Sequence, residues 1–429
     1  MVINIGIIGL GTIGSGVIET IEKNKVLFFK EYKIKLKIVG INAKNKNKKR
    51  SFDLKKYKWF NSPIDLAKNS EIDIVVELVG GANGIAFDVA KTALTNKKNL
   101  VTANKAMIAL HGYQLKRLAN KYSVNLNFEA SVAGAIPIIR TLESSLLADK
   151  ITKVYGILNG TCNYILTQMN EKKLSFDQAL KSAQRLGYAE TNPFDDVSGT
   201  DTAYKLLILS SLAFGLNVNL KDIYLEGITD IESIDIEMAN KLGYSILLLG
   251  ISKIKKKVVE YRVHPSLVSQ NSMISKVKNE LNTVVLDCHL ADKITLIGKG
   301  AGKNPTASAV LSDIIDSFKK EKRGLVTSNQ NIKKPLKVAN IKDRKGKFYV
   351  RMGVMDTPGV LADITAFFKR NKISISTMFQ LEKKISNYVQ LIFVTHQIIE
   401  KQLTLSIKKI EKLDKVKTKI KIIRIEENL

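Results

Sequence analysis

Short unbroken apolar runs alternate with stretches whose apolar positions recur at helical spacing along the first third of this chain. The run VINIGIIGLGTIGSGVIETI, residues 2–21, reads as a buried strand, a glycine turn and a helix. LKIVGI (36–41), EIDIVVELVGG (71–81) and NLVTANKAMIA (99–109) repeat the strand-then-helix theme, which predicts a parallel sheet covered on both faces. Further on, KVYGILN (153–159) and VVEYRVH (258–264) read as strands of a mixed sheet. AYKLLILSSLAF (203–214) and TASAVLSDIIDSF (306–318) read as helices. The pattern then dissolves into a polar, Lys-rich stretch, which predicts a linker over 321–346, crossed by few contacts, so that the tail beyond it could be removed without harm to the rest. In the tail, residues 347–380 read strand, turn, helix, strand. Residues 387–396, 400–413 and 419–425 add a strand, a helix and a strand. That βαββαβ order predicts a small ferredoxin-like domain.

Within this frame the glycines of the first turn acquire a meaning. Gly9-x-Gly11-x-x-Gly14 lies between a buried strand and a helix, the context a dinucleotide requires. Gly9 would permit the tight turn, Gly11 the approach of a pyrophosphate, and Gly14 the packing of helix on strand. The amides of the helix start, at Thr12 and Ile13, would face the phosphates. A glycine turn without a ligand is the alternative. The second strand ends at Asn42, where an acidic residue would favour NAD by binding the ribose 2′-hydroxyl. Instead Lys44, Lys46, Lys48, Lys49 and Arg50 follow, which suits the 2′-phosphate of NADP while leaving NAD possible. A loop at a strand end, Thr102-Ala103-Asn104-Lys105, makes Lys105 a candidate to reach nicotinamide and substrate, a plain surface lysine being the other reading.

GYAETNPFDDVSGTDTAYK, residues 187–205, gathers four carboxylates in a chain of 68 Lys and Arg against 40 Asp and Glu. Its turn residues feed directly into a helix, which sets Asp201 and Lys205 one turn apart on one face. The net charge of +28 is spread thinly and without interleaved aromatic residues, so it predicts no nucleic-acid partner. Two cysteines, Cys162 and Cys288, form no disulfide framework, and His111, His264, His289 and His396 form no metal cluster. No apolar run reaches the length of a membrane span and the start carries no secretory signal, so a cytoplasmic protein of two or three domains is expected.

Ala183-x-x-x-Gly187-Tyr188-Ala189, Asn192-Pro193 and Asp196-Val197-x-Gly199-x-Asp201-x-x-x-Lys205 resemble the signature of homoserine dehydrogenases at each fixed point. GILNGTCNYIL, EASVAGAIPI and GKGAGKNPTASAV are similar to other segments of that family, and the tail resembles its regulatory ACT domain. The resemblance, to the monofunctional form with a C-terminal ACT domain, covers nearly the whole chain. It implies an α/β Rossmann-type doubly wound parallel sheet at 1–127, completed by about 297–320. An α+β catalytic and dimerisation domain with a mixed sheet would follow at 128–296, and the ACT domain at 347–429. It also implies reversible hydride transfer between L-aspartate 4-semialdehyde and L-homoserine, on the route to threonine, methionine and isoleucine, by a homodimer or homotetramer.

Site residues carry over with it. Lys205 would be the proton-transfer lysine with Lys105 beside it. Glu190, Asp201 and Asp196 would serve homoserine, and Gly187 and Gly302 would border the cofactor. Hydride transfer to an aldehyde develops negative charge on oxygen, which an ammonium can stabilise and protonate. Glu129 with the carbonyls of Val132, Gly134 and Ile136 would hold a sodium ion, hard oxygen ligands being suited to it; a turn stiffened by Pro137 is the alternative. Asp356, Pro358 and Gly359 would flank an amino-acid effector, threonine being the expected one, or the tail would serve assembly alone. An amino-acid sensor with a vestigial active site and a related dehydrogenase of different substrate are the competing readings.

Overall fold

The computed structural model describes residues 1–318, 336–385, 388–427 and 429. The expected linker at 321–346 therefore lies mostly outside the described residues. Two compact units are present. One comprises residues 1–160, 201–222 and 281–336, the other 161–200, 223–280 and 337–429.

The first unit opens with six parallel strands, β1 (Val2–Ile8), β2 (Lys35–Asn42), β3 (Lys58–Trp59), β4 (Ile74–Glu77), β5 (Asn99–Thr102) and β6 (Leu126–Asn127). Their order is 3-2-1-4-5-6, the doubly wound arrangement expected from the alternating strand and helix patterns. Ile3, Ile5 and Ile7 of β1 are buried with Val17, Ile18 and Ile21 of the helix Thr12–Lys23, because a parallel strand covered on both faces needs apolar residues throughout. The helix Lys303–Asp316 contributes Ala307, Val310 and Ile314 to the same core, so the chain returns to this unit from far along the sequence. An antiparallel group, Ile151–Ile157 with Leu281–Cys288 and then Lys293–Lys299, completes the sheets of this unit.

In the second unit the predicted βαββαβ order is observed. Strand Lys345–Val354, helix Val360–Arg370, strands Ile375–Ile385 and Tyr388–Thr395, helix Glu400–Ile410 and strand Lys421–Glu426 follow one another. Phe348, Val350, Ile364, Phe368, Phe393, Leu403 and Ile407 form its core. Phe368 and Phe393 meet edge to face at 5.4 Å.

This small domain is not a detachable tail, contrary to the expectation of few contacts. Strand Lys421–Glu426 pairs in parallel with Val258–Ser269, with Ser266, Leu267 and Val268 opposite Arg424, Ile425 and Glu426. Buried ion pairs cross the same seam: Arg262 Nη1 to Glu426 Oε1 at 2.5 Å, Arg424 Nη1 to Glu226 Oε2 at 2.8 Å and Arg351 Nε to Asp235 Oδ1 at 2.7 Å. The reason lies in strand 421–426 itself. Each of its two edges needs a partner, and Lys345–Val354 satisfies one edge only.

Candidate active site

Gly9 has φ +98°, and its amide donates to the Asn42 carbonyl at 2.9 Å. A Cβ on Gly14 would lie 2.0 Å from the Gly9 carbonyl oxygen, so helix and turn touch only because both residues lack side chains. Gly11 is different. Nothing lies within 4 Å of where its Cβ would stand, and no side chain caps the helix that starts at Thr12. Uncapped amides beside open space fit the diphosphate of a dinucleotide. Gly302, with φ +114°, precedes the Lys303–Asp316 helix. Lys303 Nζ lies 2.6 Å from Glu19 Oε2 on the Thr12–Lys23 helix, so Gly302 belongs to the same half as the glycine turn.

The basic stretch after β2 divides its labour. Arg50 donates to the carbonyls of Asn45, Lys46 and Lys48 at 2.6, 3.1 and 2.8 Å and thereby folds the loop. Lys44, Lys48 and Lys49 remain exposed. Asn42 is buried and donates to the Phe60 carbonyl at 2.8 Å, so it acts as a clamp between strand ends.

Around the N-terminal end of the Thr200–Phe214 helix the polar groups converge. Asp201 is buried and Lys205 nearly so. Lys205 Nζ donates to Asp201 Oδ2 at 2.8 Å and to the Leu158 carbonyl at 2.7 Å. Lys105, whose side chain is 41% exposed, pairs with Asp201 Oδ1. Burial works against charge on Asp201, but the ammonium groups of Lys205 and Lys105 outweigh it and hold the carboxyl well below the usual carboxylate range. Asp201 is thus an anion that fixes two cations. Two of the three N–H groups of Lys205 have partners in the described residues, which leaves one for an incoming oxygen.

Three supporting residues escaped the sequence reading. Asn159 donates to Asp201 Oδ2 at 2.8 Å, and Asn282 donates to the Leu158 carbonyl at 3.0 Å, so both brace the lysine's partners. Gly300 sits against Asn282 so closely that a Cβ there would lie 2.1 Å from its amide. Glu77, at the end of β4, is fully buried behind the Thr102–Lys105 loop. GILNG held the signal for Asn159. Nothing local marked the other two.

In the second unit, Gly187 takes φ +76° after the helix Phe176–Arg185, and the following Tyr188 carbonyl accepts from Thr161 Oγ1 at 2.6 Å. Glu190 is exposed, and its backbone carbonyl accepts from Gln184 at 3.2 Å. Asp196 lies in the one-turn helix Phe194–Val197 and its carbonyl accepts from Cys162 Sγ at 3.1 Å. In the C-terminal strand–turn–helix, Asp356, Pro358 and Gly359 are exposed, Gly359 at φ +87° directly before the helix Val360–Arg370.

The loop expected to hold a cation turns through Ala133 and Gly134, both at φ +52°. Glu129 accepts from the amides of Ile139 and Arg140 at 2.8 and 2.9 Å, and the Ile136 carbonyl accepts from the Ile138 amide at 2.8 Å. Each of these oxygens keeps a second lone pair. Among the described residues no group of three His, Cys, Asp or Glu could hold a metal ion. His264 is buried in the second unit beside Arg262 Nη1 at 3.2 Å, a core histidine.

Comparison with known proteins decides the family. Models for "Homoserine dehydrogenase", for its NAD-binding domain and for the ACT domain match residues 137–315, 9–129 and 348–415. A homoserine dehydrogenase of Helicobacter pylori is 42% identical over 99% of both chains. This chain belongs to the homoserine dehydrogenase family. A homoserine dehydrogenase structure from Thiobacillus denitrificans superposes with a TM-score of 0.87 at 36% identity, covering 100% of this chain and 99% of that one. A hyperthermophilic archaeal homoserine dehydrogenase in complex with NADPH matches with a TM-score of 0.63 at 27% identity, over 74% of this chain and 98% of that one. The enzyme is therefore an NAD(P)-dependent oxidoreductase with homoserine dehydrogenase function and an ACT regulatory domain. Among the described residues no helix is long and apolar enough to cross a membrane.

Proposed function

We propose that the enzyme prefers NADP(H) and reduces L-aspartate 4-semialdehyde to L-homoserine, reversibly, with Lys205 as the proton donor, in the cytoplasm and on the route to threonine, methionine and isoleucine. The observation that carries the assignment is the Lys105–Asp201–Lys205 cluster at one helix start. Bound nicotinamide would supply the hydride. As charge grows on the aldehyde oxygen, the N–H of Lys205 left over by Asp201 and Leu158 stabilises it and delivers the proton. Asp201 keeps the ammonium in place during the transfer. Lys105 stands beside it as a second cation near the reacting end. Glu190 is assigned to the substrate ammonium, Asp196 to the substrate turn, and Gly9, Gly11, Thr12, Ile13, Gly14, Thr102, Gly187 and Gly302 to the cofactor.

The preference for NADP rests on the missing acid at the end of β2 and on exposed Lys44, Lys48 and Lys49. Asn42 is unsuitable for testing it, since Asp at that position would face the Phe60 carbonyl that Asn42 now donates to. Replacing the three lysines with alanine is the cleaner change. Consumption of NADPH and NADH is followed by absorbance with aspartate semialdehyde as substrate. A higher kcat/KM with NADH in the unmodified enzyme sinks the preference, and no turnover with either sinks the reaction.

Sodium beside Glu129, Val132, Gly134 and Ile136 is assigned a structural role. Replacing sodium by choline at constant ionic strength should then lower the Tm, and an unchanged Tm removes the ion. Threonine acting at Asp356, Pro358 and Gly359 completes the reading.

A further inference from the structure

Glu77 is the last residue of β4, opposite Ile8 of β1 on one side and Thr102 of β5 on the other. A carboxyl with no accessible surface at the C-terminal edge of a dinucleotide-binding sheet is costly to place there, and packing alone would favour an apolar residue. Its contacts show what it holds. Glu77 Oε1 accepts from the Val79 amide at 2.6 Å and Oε2 accepts from the Thr102 hydroxyl at 2.5 Å. Thr102 Oγ1 in turn accepts from the Asn104 amide at 3.0 Å. The Asn104 side chain donates to the carbonyls of Val79 and Gly81 at 2.9 and 2.7 Å and accepts from the Met107 amide at 3.0 Å, capping the helix that begins with Lys105. One carboxylate thus ties together the loop after β4, the loop after β5 and the helix start from which Lys105 reaches Asp201.

We propose that Glu77, as a carboxylate, is a positioning residue of this enzyme: it fixes the Thr102–Lys105 loop and through it the Lys105–Asp201 pair. This rests on the role assigned above to Lys105. The two hydrogen bonds taken together favour the ionised form. An ionised carboxyl accepts from both Val79 and Thr102, whereas a protonated one must donate and leaves the Thr102 hydroxyl hydrogen without its acceptor. Among the described residues the charge beside it is sparse: residues 2–8 and 78–84 carry none, Asp88 and Lys91 of the helix Ile85–Thr95 packed on β4 are exposed, and in 102–107 only Lys105 is charged, engaged by Asp201. Burial raises the Glu77 carboxyl to about 7, opposed by its bonds to Thr102, Val79 and Asn104, so both forms are accessible at ordinary pH.

The experiment compares the full-length enzyme with Glu77→Gln, which keeps shape and one acceptor but turns a donor toward Thr102. Rates with NADPH and aspartate semialdehyde are measured from pH 6 to 9, and NADPH binding by fluorescence. The expected result is a loss of tenfold or more in kcat/KM at pH 8. An acid limb with an apparent pKa near 7 should be present in the unmodified enzyme and absent in Glu77→Gln. Thr102→Val, which removes the hydroxyl that donates to Glu77 and accepts from the Asn104 amide, should give a comparable loss and serves if Glu77→Gln does not fold. A Glu77→Gln enzyme with unaltered kcat/KM and acid limb, whatever its Tm, overturns the proposal. So does a slower enzyme that keeps the limb. Lys105→Ala separates the two ideas. If it is fully active while Glu77→Gln is impaired, the role of Lys105 fails and the route proposed through it fails as well. If Lys105→Ala is impaired and Glu77→Gln is not, only the assignment to Glu77 fails.

Discussion

At the scale of single residues, chemistry and support separate cleanly. Lys205→Ala removes the proton donor but none of the glycine turn, so kcat should fall by ~10²-fold or more while NADPH binding by fluorescence stays nearly intact. A fall of less than about threefold would move the role to Lys105. Glu190→Ala removes a charge assigned to the substrate ammonium; charge-assisted contacts are worth ~1.5–3 kcal/mol, so KM for homoserine should rise tenfold or more. An unchanged KM would take Glu190 out of the substrate site. Glu77 gives a prediction about stability. Its folded value of about 7 stands above the ordinary 4.5, so its contribution is full below about 4.5 and is lost as pH rises through 7. The difference amounts to roughly 3 kcal/mol between those limits. Glu77→Gln should therefore flatten the pH dependence of unfolding free energy between pH 5 and 8, and an equal slope in both proteins would show that Glu77 does not titrate there. Asp201 and Lys205 were legible because four residues on a helix make a contact that needs no tertiary knowledge. Asn159, Asn282 and Lys105 meet their partners only after the sheet has formed, and no spacing in the sequence announces such meetings.

Among the elements, β1 with its glycine turn, the Thr200–Phe214 helix and the βαββαβ order were legible from periodicity, since each has an apolar pattern of its own. Parallel pairing of Lys421–Glu426 with Val258–Ser269 was not. Both strands read as apolar runs, and a run does not name its neighbour. The charges in that seam make the pairing testable. Burial opposes ionisation of Glu426, but Arg262 and Arg344 outweigh it and hold the carboxyl down at about 2. Arg344 Nη2 reaches the same oxygen at 2.9 Å, so one carboxylate neutralises two buried guanidinium groups. Glu426→Ala would remove the buried counter-charge of both, leaving Arg262, among the described residues, only the half-exposed Glu260 at 3.6 Å, and removing one partner of a buried pair costs ~3–5 kcal/mol. Chemical denaturation should show that loss. A change under about 1 kcal/mol would mean that water reaches the seam.

For the whole molecule, the docked C-terminal strand changes how regulation must be tested. Deleting the chain beyond the Lys303–Asp316 helix would uncover the edge of Val258–Ser269 and leave Arg262, Glu226 and Asp235 without their buried counter-charges, so a truncated enzyme would lose stability along with any sensor. Point changes avoid this. The assigned effector turn, Asp356 to Gly359, lies in the same unit as a route to the substrate turn. Arg424 and Lys421 hold Glu226 at 2.8 and 3.0 Å, and two residues on the Ile228 amide donates to the Val197 carbonyl at 2.9 Å, next to Asp196. Threonine at the tail should therefore inhibit without competing for the active site, with a coupling of ~1–3 kcal/mol. Asp356→Ala should raise the threonine concentration for half inhibition at least tenfold. Glu226→Gln should leave threonine binding measurable by calorimetry while the ratio of rates with and without threonine moves toward one, because the strand would no longer pull on the turn. Inhibition of both variants at the concentrations that inhibit the unmodified enzyme would place the sensor elsewhere. If threonine bound but never altered the rate, even in the unmodified enzyme, the domain would serve assembly, its strand completing a sheet and carrying no signal.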